Sequence, residues 1–369
     1  MKIMSIFGTR PEAIKMAPLI KLIEKEDALT SCVVVTGQHR SQLDQVLEIF
    51  DILPAYDLNI MKHGQTLASI TNDVLASLGS IIGTEKPDMI LIHGDTTTSF
   101  AAALSAYYNQ ITIAHVEAGL RTYDKYAPYP EEANRRLIGA LADIHFAPTS
   151  LSAENLLNEN IPKENIFVTG NTVLDTFQYT LSENHIFDAP IKLDQSKKTI
   201  LLTAHRRENL GEPLENICKA ILEILDEFED VDFVIPMHLN PKVREVILKF
   251  LSNNDRITLT EPLDLLDMHN LLSKCYLCIT DSGGLQEEAP HVNVPVVVLR
   301  EVTERPEGID KTLILAGTKK ENIVKTTRDL LINKTLYEKM AEHPNPFGDG
   351  NASLKILEEL NERRTRRKT

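Results

Sequence analysis

Short apolar runs alternate with longer segments of helical period along the whole chain. The runs at 2–7, 32–36, 89–93, 111–116, 144–147, 166–169, 199–203, 231–236, 256–259, 276–280, 294–299 and 312–315 are rich in Val, Ile and Leu. Most are continuous rather than alternating, the mark of strands covered on both faces in a parallel sheet. Between them, segment 213–228 places Leu214, Ile217, Cys218, Ile221, Leu225 and Phe228 on one helical face, with Pro213 at its start. This alternation predicts an α/β protein with doubly wound sheets. The polar stretch 184–198, with a proline and weak periodicity before a fresh strand, marks a change of domain. It predicts an N-terminal Rossmann-like domain over 1–184, a C-terminal one over 199–350, and a C-terminal helix with a basic tail over 351–369. Two domains facing a cleft suit a chain of 369 residues.

Composition narrows the function. A chain that is 43% hydrophobic and 25% charged is an ordinary globular protein, which excludes disorder and coiled coil. Lys and Arg number 39 against 53 Asp and Glu, a net charge of −14 that disfavours a broad nucleic-acid or anionic-membrane surface. An anionic ligand would need its cations concentrated in one pocket. Cys32, Cys218, Cys275 and Cys278 are too few for a disulfide framework and suit a reducing compartment. The C-x-x-C pair 275/278 lies in an apolar run, so it reads as buried strand residues rather than a redox pair. No stretch approaches the ~20 apolar residues of a membrane span, and the first apolar run is too short for a signal peptide. A cytoplasmic location is expected. The basic cluster 363–368 reads as a solvated helix end.

In doubly wound sheets, ligands bind beyond the carboxyl ends of the strands. The apolar runs here are followed by Gly8-Thr-Arg-Pro-Glu12, Gly37-Gln-His-Arg40, Gly94-Asp-Thr-Thr-Thr-Ser99, Glu117-Ala-Gly-Leu-Arg121, Ala204-His-Arg-Arg-Glu208, Met237-His-Leu-Asn-Pro241, Asp281-Ser-Gly-Gly-Leu-Gln-Glu-Glu288 and Arg300 to Pro306. Such crowding from both halves is expected to converge on a reactive cleft. The segment 279–289 is the sharpest anion signal. A strand entering a Gly-Gly turn and then a helix presents unpaired N–H groups and a positive dipole end, while Asp281 or Ser282 serves as N-cap. It is neither a Walker A loop nor the dinucleotide fingerprint, so neither ATP hydrolysis nor NAD binding follows. Arg10 and Lys15 form a second candidate anion site, with Arg305 as a third cation. Pro18 implies that the helix beyond Gly8 either starts there or is kinked. Asp95 and Glu117, near His93 and His115, are candidates for perturbed carboxylates. Glu131 and Glu132 open a helix over 131–142, where an acid also serves as a dipole partner. Histidines beside arginines (39–40, 205–207) and the lack of an H-x-x-x-H spacing argue against a metal site.

These segments, with Gly8–Pro18, His93–Thr98, His115–Thr122, Pro130–Arg135, Thr169-Gly-Asn-Thr172, His205–Glu208, Asp281–Pro290 and Thr303–Glu307 in unbroken order up to Asn345-Pro-Phe-Gly-Asp-Gly350, resemble the non-hydrolysing UDP-N-acetylglucosamine 2-epimerases of bacteria. The resemblance implies a glycosyltransferase-B type fold, a homodimer, and interconversion of UDP-GlcNAc and UDP-ManNAc through elimination of UDP to 2-acetamidoglucal and its re-addition, with no cofactor. It implies Asp95, Glu117, Glu131 and His205 as catalytic residues. Arg10, Ser282, Gly283 and Gly284 would hold the diphosphate, and Lys15, Glu288 and Arg305 would be further substrate contacts. A second UDP-GlcNAc, bound as an activator, would involve Gln38, Arg206 and His238. Met268 departs from the aromatic residue that relatives often carry near the uracil. The rival readings are a UDP-sugar glycosyltransferase, a hydrolysing 2-epimerase and a non-catalytic sugar-nucleotide sensor.

Overall fold

The computed structural model describes residues 1–37, 40–60 and 64–366. The chain forms two compact units, one of Met1–Tyr179 together with the chain from Phe347 onward, the other of Thr180–Pro346. The first contains β1 (Lys2–Phe7), β2 (Thr30–Val35), β3 (Tyr56–Asp57), β4 (Met89–His93), β5 (Thr112–Val116), β6 (Ile144–Ala147) and β7 (Ile166–Val168). They pair in parallel in the order β3-β2-β1-β4-β5-β6-β7. The second contains β8 (Lys198–Thr203), β9 (Val231–Pro236), β10 (Ile257–Thr260), β11 (Leu277–Thr280), β12 (Val296–Val298) and β13 (Leu313–Leu315), in the order β10-β9-β8-β11-β12-β13 and again all parallel. Strand order reverses between β1 and β4 and between β8 and β11. Those switch points are where such sheets receive ligands.

The strands match the apolar runs because nearly every side chain in them is covered. β1 is buried from Ile3 to Phe7, and β4 throughout. β3 has no apolar run to announce it: two residues at the sheet edge, one half-buried and one exposed, pair with Val34 and Val35. In the helix Glu212–Glu227, Leu214, Ile217, Ile221, Ile224 and Leu225 are buried, each contributing roughly 1.5–3 kcal/mol. The helix Arg10–Lys25 runs through Pro18, which is buried within it.

The break between units differs from the expected one. It falls at Tyr179/Thr180, because the stretch after it is pinned within the second unit: Asp267 accepts from His185 Nε2 at 2.6 Å and from the Ala189 N–H at 3.1 Å. The C-terminal helix is no separate appendage. Buried Asp175 accepts from the N–H groups of Ala352 (3.2 Å) and Ser353 (2.7 Å), so a residue from far upstream caps the helix Ala352–Arg366.

All four cysteines are buried free thiols. Burial pushes Cys275 and Cys218 up to about 12, and Cys278 well above its ordinary value. Alkylation by iodoacetamide at pH 8 is therefore expected only after denaturation; rapid modification of native protein at Cys275 or Cys278 would contradict this packing.

Candidate active site

At the β1/β4 switch point the loops are fastened by an acid that sequence reading left without a role. Glu12 is buried in the first turn of its helix. Its Oε2 accepts from the N–H groups of Gly8 (3.0 Å) and Thr9 (2.8 Å) and from Thr9 Oγ1 (2.8 Å), while Oε1 accepts from Thr96 Oγ1 (2.6 Å) and Ser99 Oγ (2.8 Å). One carboxyl group thus joins the loop after β1 to the loop after β4. Gly8 lets the loop after β1 lie close to the end of β2 as well, since a Cβ there would stand 2.0 Å from Thr36 Oγ1.

Asp95 follows β4. Arg135 grips it, with Nε and Nη2 both 2.7 Å from Oδ2, and Asn134 Nδ2 donates to its main-chain oxygen at 2.8 Å. The Asp95 side chain remains one-fifth exposed, so it is paired yet reachable. Glu131 and Glu132 open the helix Glu131–Leu141, and they part company: Glu131 is half-buried, whereas Glu132 is sealed in, accepting from the N–H groups of Thr122 (3.0 Å) and Tyr123 (3.2 Å). Of this adjacent pair, Glu131 is the one left within reach of a ligand.

Glu117, the residue after β5, takes the left-handed conformation, with φ of 62°. For a non-glycine residue this costs about 1–3 kcal/mol and is typical of functional positions. Lys15 Nζ forms an ion pair with its Oε2, and Asn171 Nδ2 donates to the same oxygen at 2.7 Å. His93 Nε2 lies 3.8 Å from Oε1. Burial holds His93 down to about 4, against the pull of Glu117, so the imidazole is neutral at neutral pH. His115, whose Nε2 meets Gly94 O at 2.7 Å, is held by burial at about 3. Lys15 thus serves as the counter-charge of Glu117. Arg10, the first residue of the same helix, is half-buried.

At the β8/β11 switch point the organiser is Asp281. Its side chain is fully buried and accepts, through Oδ2, from the N–H groups of His205 and Arg206 and from Asn209 Nδ2, all at 2.9 Å. His205 Nδ1 lies 2.9 Å from Oδ1. Burial raises this carboxyl, but the bonds from His205 and the two N–H groups outweigh it and leave the pKa below the ordinary value. The arrangement accordingly stabilises the fold at neutral pH, and that contribution is lost as pH falls through the acidic range. The His205 ring is 40% exposed and stacks on His238 with centroids 5.6 Å apart, so its far nitrogen can meet a ligand.

Ser282, rather than Asp281, occupies the N-cap of the helix Gly283–Glu288. A Cβ on Gly283 would stand 3.1 Å from Arg305 Nη1, and one on Gly284 3.0 Å from Glu288 Oε1. Both expected substrate-contact side chains therefore border the glycine turn. Arg305 is oriented by Glu287 Oε1 at 2.7 Å, and Glu288 lies 3.7 Å from buried His269. Arg206 donates through Nε to the main-chain oxygen of Asp281 at 2.9 Å. Met268 is half-buried in the helix Leu265–Leu272. Gln38 lies outside the described residues.

Glu12, Arg135 and Asn171 lie in segments that the sequence singles out, yet nothing in their spacing assigns them these partners, and Asn209 lies in none of them. Among the described residues, no three His, Cys, Asp or Glu side chains are grouped to hold a metal ion, and no helix is long and apolar enough to cross a membrane.

Carboxylates paired with basic side chains stand at the switch point of the first sheet, and a histidine–aspartate pair beside a glycine turn stands at that of the second, the positions where an α/β enzyme carries its chemistry. The UDP-N-acetylglucosamine 2-epimerase family model matches residues 21–361, and the chain belongs to that family. The UDP-N-acetylglucosamine 2-epimerase of Bacillus subtilis is 54% identical over 363 residues, covering 98% of this chain and 95% of its own. The crystal structure of UDP-GlcNAc 2-epimerase from Neisseria meningitidis bound to UDP-GlcNAc superposes with a TM-score of 0.88 at 47% identity, covering 98% of this chain and all of that one. The S. aureus MnaA–UDP co-structure gives a TM-score of 0.88 at 53% identity, covering 97% and 95% of the two chains.

Proposed function

We propose that this enzyme, an isomerase of the 2-epimerase family, interconverts UDP-GlcNAc and UDP-ManNAc without net hydrolysis, through elimination and re-addition of UDP. The observation that carries this reading is the family likeness, which runs the length of the chain. The C2 hydrogen of the sugar is not next to a carbonyl, so direct deprotonation would be very slow. Elimination removes the difficulty. The C1–O bond breaks with its electrons going to UDP, a carboxylate takes the C2 proton, and 2-acetamidoglucal results. Return of a proton to the opposite face of C2, with a UDP oxygen adding at C1, inverts the centre.

In the first unit, Asp95, Glu117 and Glu131 serve the C2 proton and the positive charge that develops on the sugar. Their settings are unlike: Asp95 is gripped by Arg135, and Glu117 by Lys15 and Asn171. Arg10 faces the diphosphate. In the second unit, the N–H groups of Ser282, Gly283 and Gly284, with Arg305 at their side, stabilise the leaving UDP. His205, oriented by Asp281, partners the phosphate or the departing oxygen, and Glu288 binds ribose hydroxyls. Lys15 acts chiefly through Glu117. Gln38, Arg206 and His238 belong to a second UDP-GlcNAc site for activation, and the enzyme works in the cytoplasm as a homodimer without a cofactor.

Incubating UDP-GlcNAc with the enzyme in D₂O, with no metal or NAD added, is expected to give UDP-ManNAc carrying deuterium at C2. Free ManNAc would indicate a hydrolysing enzyme. Turnover only when an acceptor is supplied would indicate a transferase, and binding without exchange a sensor.

A further inference from the structure

We infer that Asn171 is a positioning residue for Glu117, and that the returning chain at Phe347–Gly348 fixes Asn171 in that role; the inference rests on the proposal that Glu117 is catalytic. Neither Thr169–Thr172 nor Asn345–Gly350 has a part in the chemistry above. In the fold they meet behind Glu117. Asn171 is 2% exposed. Its Oδ1 accepts the Val173 N–H at 3.2 Å, which leaves the amide nitrogen turned the other way, donating to Glu117 Oε2 at 2.7 Å. An amide has one accepting and one donating end, so the Val173 bond dictates which end the carboxylate meets.

The Asn171 backbone is held as firmly. Its N–H donates to Phe347 O at 2.7 Å. The neighbouring glycines touch: a Cβ on Gly170 would lie 3.1 Å from Gly348 Cα, and one on Gly348 3.0 Å from Gly170 Cα. Both have positive φ, 92° and 130°, so glycine alone satisfies the conformation and the close approach together. The buttress thus runs from the C-terminal segment through Asn171 to a carboxylate held in the left-handed region. Lys15 from the helix Arg10–Lys25 and neutral His93 from β4 also face Glu117 among the described residues.

The test compares Asn171→Asp, Asn171→Ala and Glu117→Gln by kcat, KM, pH–rate profile and thermal midpoint. Asn171→Asp sets a carboxylate against Glu117, and two such groups cannot both ionise freely. It is expected to lower kcat by ~10²-fold with KM changed less than about threefold. The limb of the pH profile that Glu117 governs should move upward by at least about one unit, whether Glu117 acts as acid or base. Asn171→Ala removes a donor to the carboxylate without adding a charge, so it should lose less and move that limb upward by less. Gly348→Ala, remote from the reacting atoms, should lower kcat in the same sense. A loss confined to KM, a loss that only tracks the thermal midpoint, or an unshifted profile in Asn171→Asp overturns the inference while an inactive Glu117→Gln leaves the catalytic reading standing. Wild-type turnover in Glu117→Gln overturns both.

Discussion

Asp95→Asn is expected to keep UDP binding and lose at least ~10²-fold in kcat, the ordinary consequence of removing acid–base chemistry from one group. The substitution is almost isosteric, and the amide oxygen can still accept from Arg135, which now meets Asp95 Oδ2 at 2.7 Å. Asn134 holds the main-chain oxygen of this residue rather than its side chain, so the loop keeps its course. What disappears is a group able to take and return a proton. UDP affinity by calorimetry and C2 exchange in D₂O separate the two effects. Turnover at the wild-type rate would remove Asp95 from the mechanism, while a loss seen entirely in UDP binding would make it a binding residue.

Glu12→Ala is expected to destabilise the first unit by about 3 kcal/mol or more. The carboxyl group accepts five hydrogen bonds. The hydroxyls of Thr9, Thr96 and Ser99 can rotate to other acceptors, and the single Ser99 proton, shared between Glu12 Oε1 and His93 O, can pass wholly to the latter at 2.6 Å. The N–H groups of Gly8 and Thr9 cannot rotate, and each buried orphan donor costs about 1–3 kcal/mol. Hydrogen exchange at β1 and β4 reads the loss locally, which a single global midpoint would blur in a two-unit protein. Activity should fall too, because the same group steadies the loops that carry Arg10 and Asp95. Glu12→Gln, retaining one accepting oxygen, should lie between. Protection factors at β1 unchanged in the alanine variant would show that the loops are held by other means.

How far the chain announced this structure depends on the type of interaction. β4, β6 and β9 begin and end where their apolar runs do, since burial on both faces forces continuous hydrophobicity. The rule that ligands sit beyond strand ends likewise places Asp95, Glu117, His205 and Ser282 at the edges where the structure shows them. β3 escaped because an edge pair of two residues needs no apolar side chain. The polar fasteners escaped for another reason. Glu12 with Ser99, Asp175 with Ser353, and Asn171 with Glu117 are single contacts between distant segments, and a hydrogen bond across 54 to 178 positions leaves no period to read. Even where a motif flagged the residue, the partner differed. Asp281 was a candidate cap for the helix after it, yet it serves the loop at 205–209, with Ser282 at the N-cap.

The closing of the first unit by the chain from Phe347 onward has a consequence for synthesis. A ribosome releases β1 to β7 long before it makes the residues that cap Asp175, cover Gly170 and brace Asn171. At ~5–20 residues per second the intervening stretch takes about ten seconds or more to translate. Throughout that time the nascent first unit lacks its last helix, and by the end of it the second holds every strand of its sheet. The part of the molecule begun first is finished after the second, and Glu117 acquires its full support only once Phe347 and Gly348 have been made.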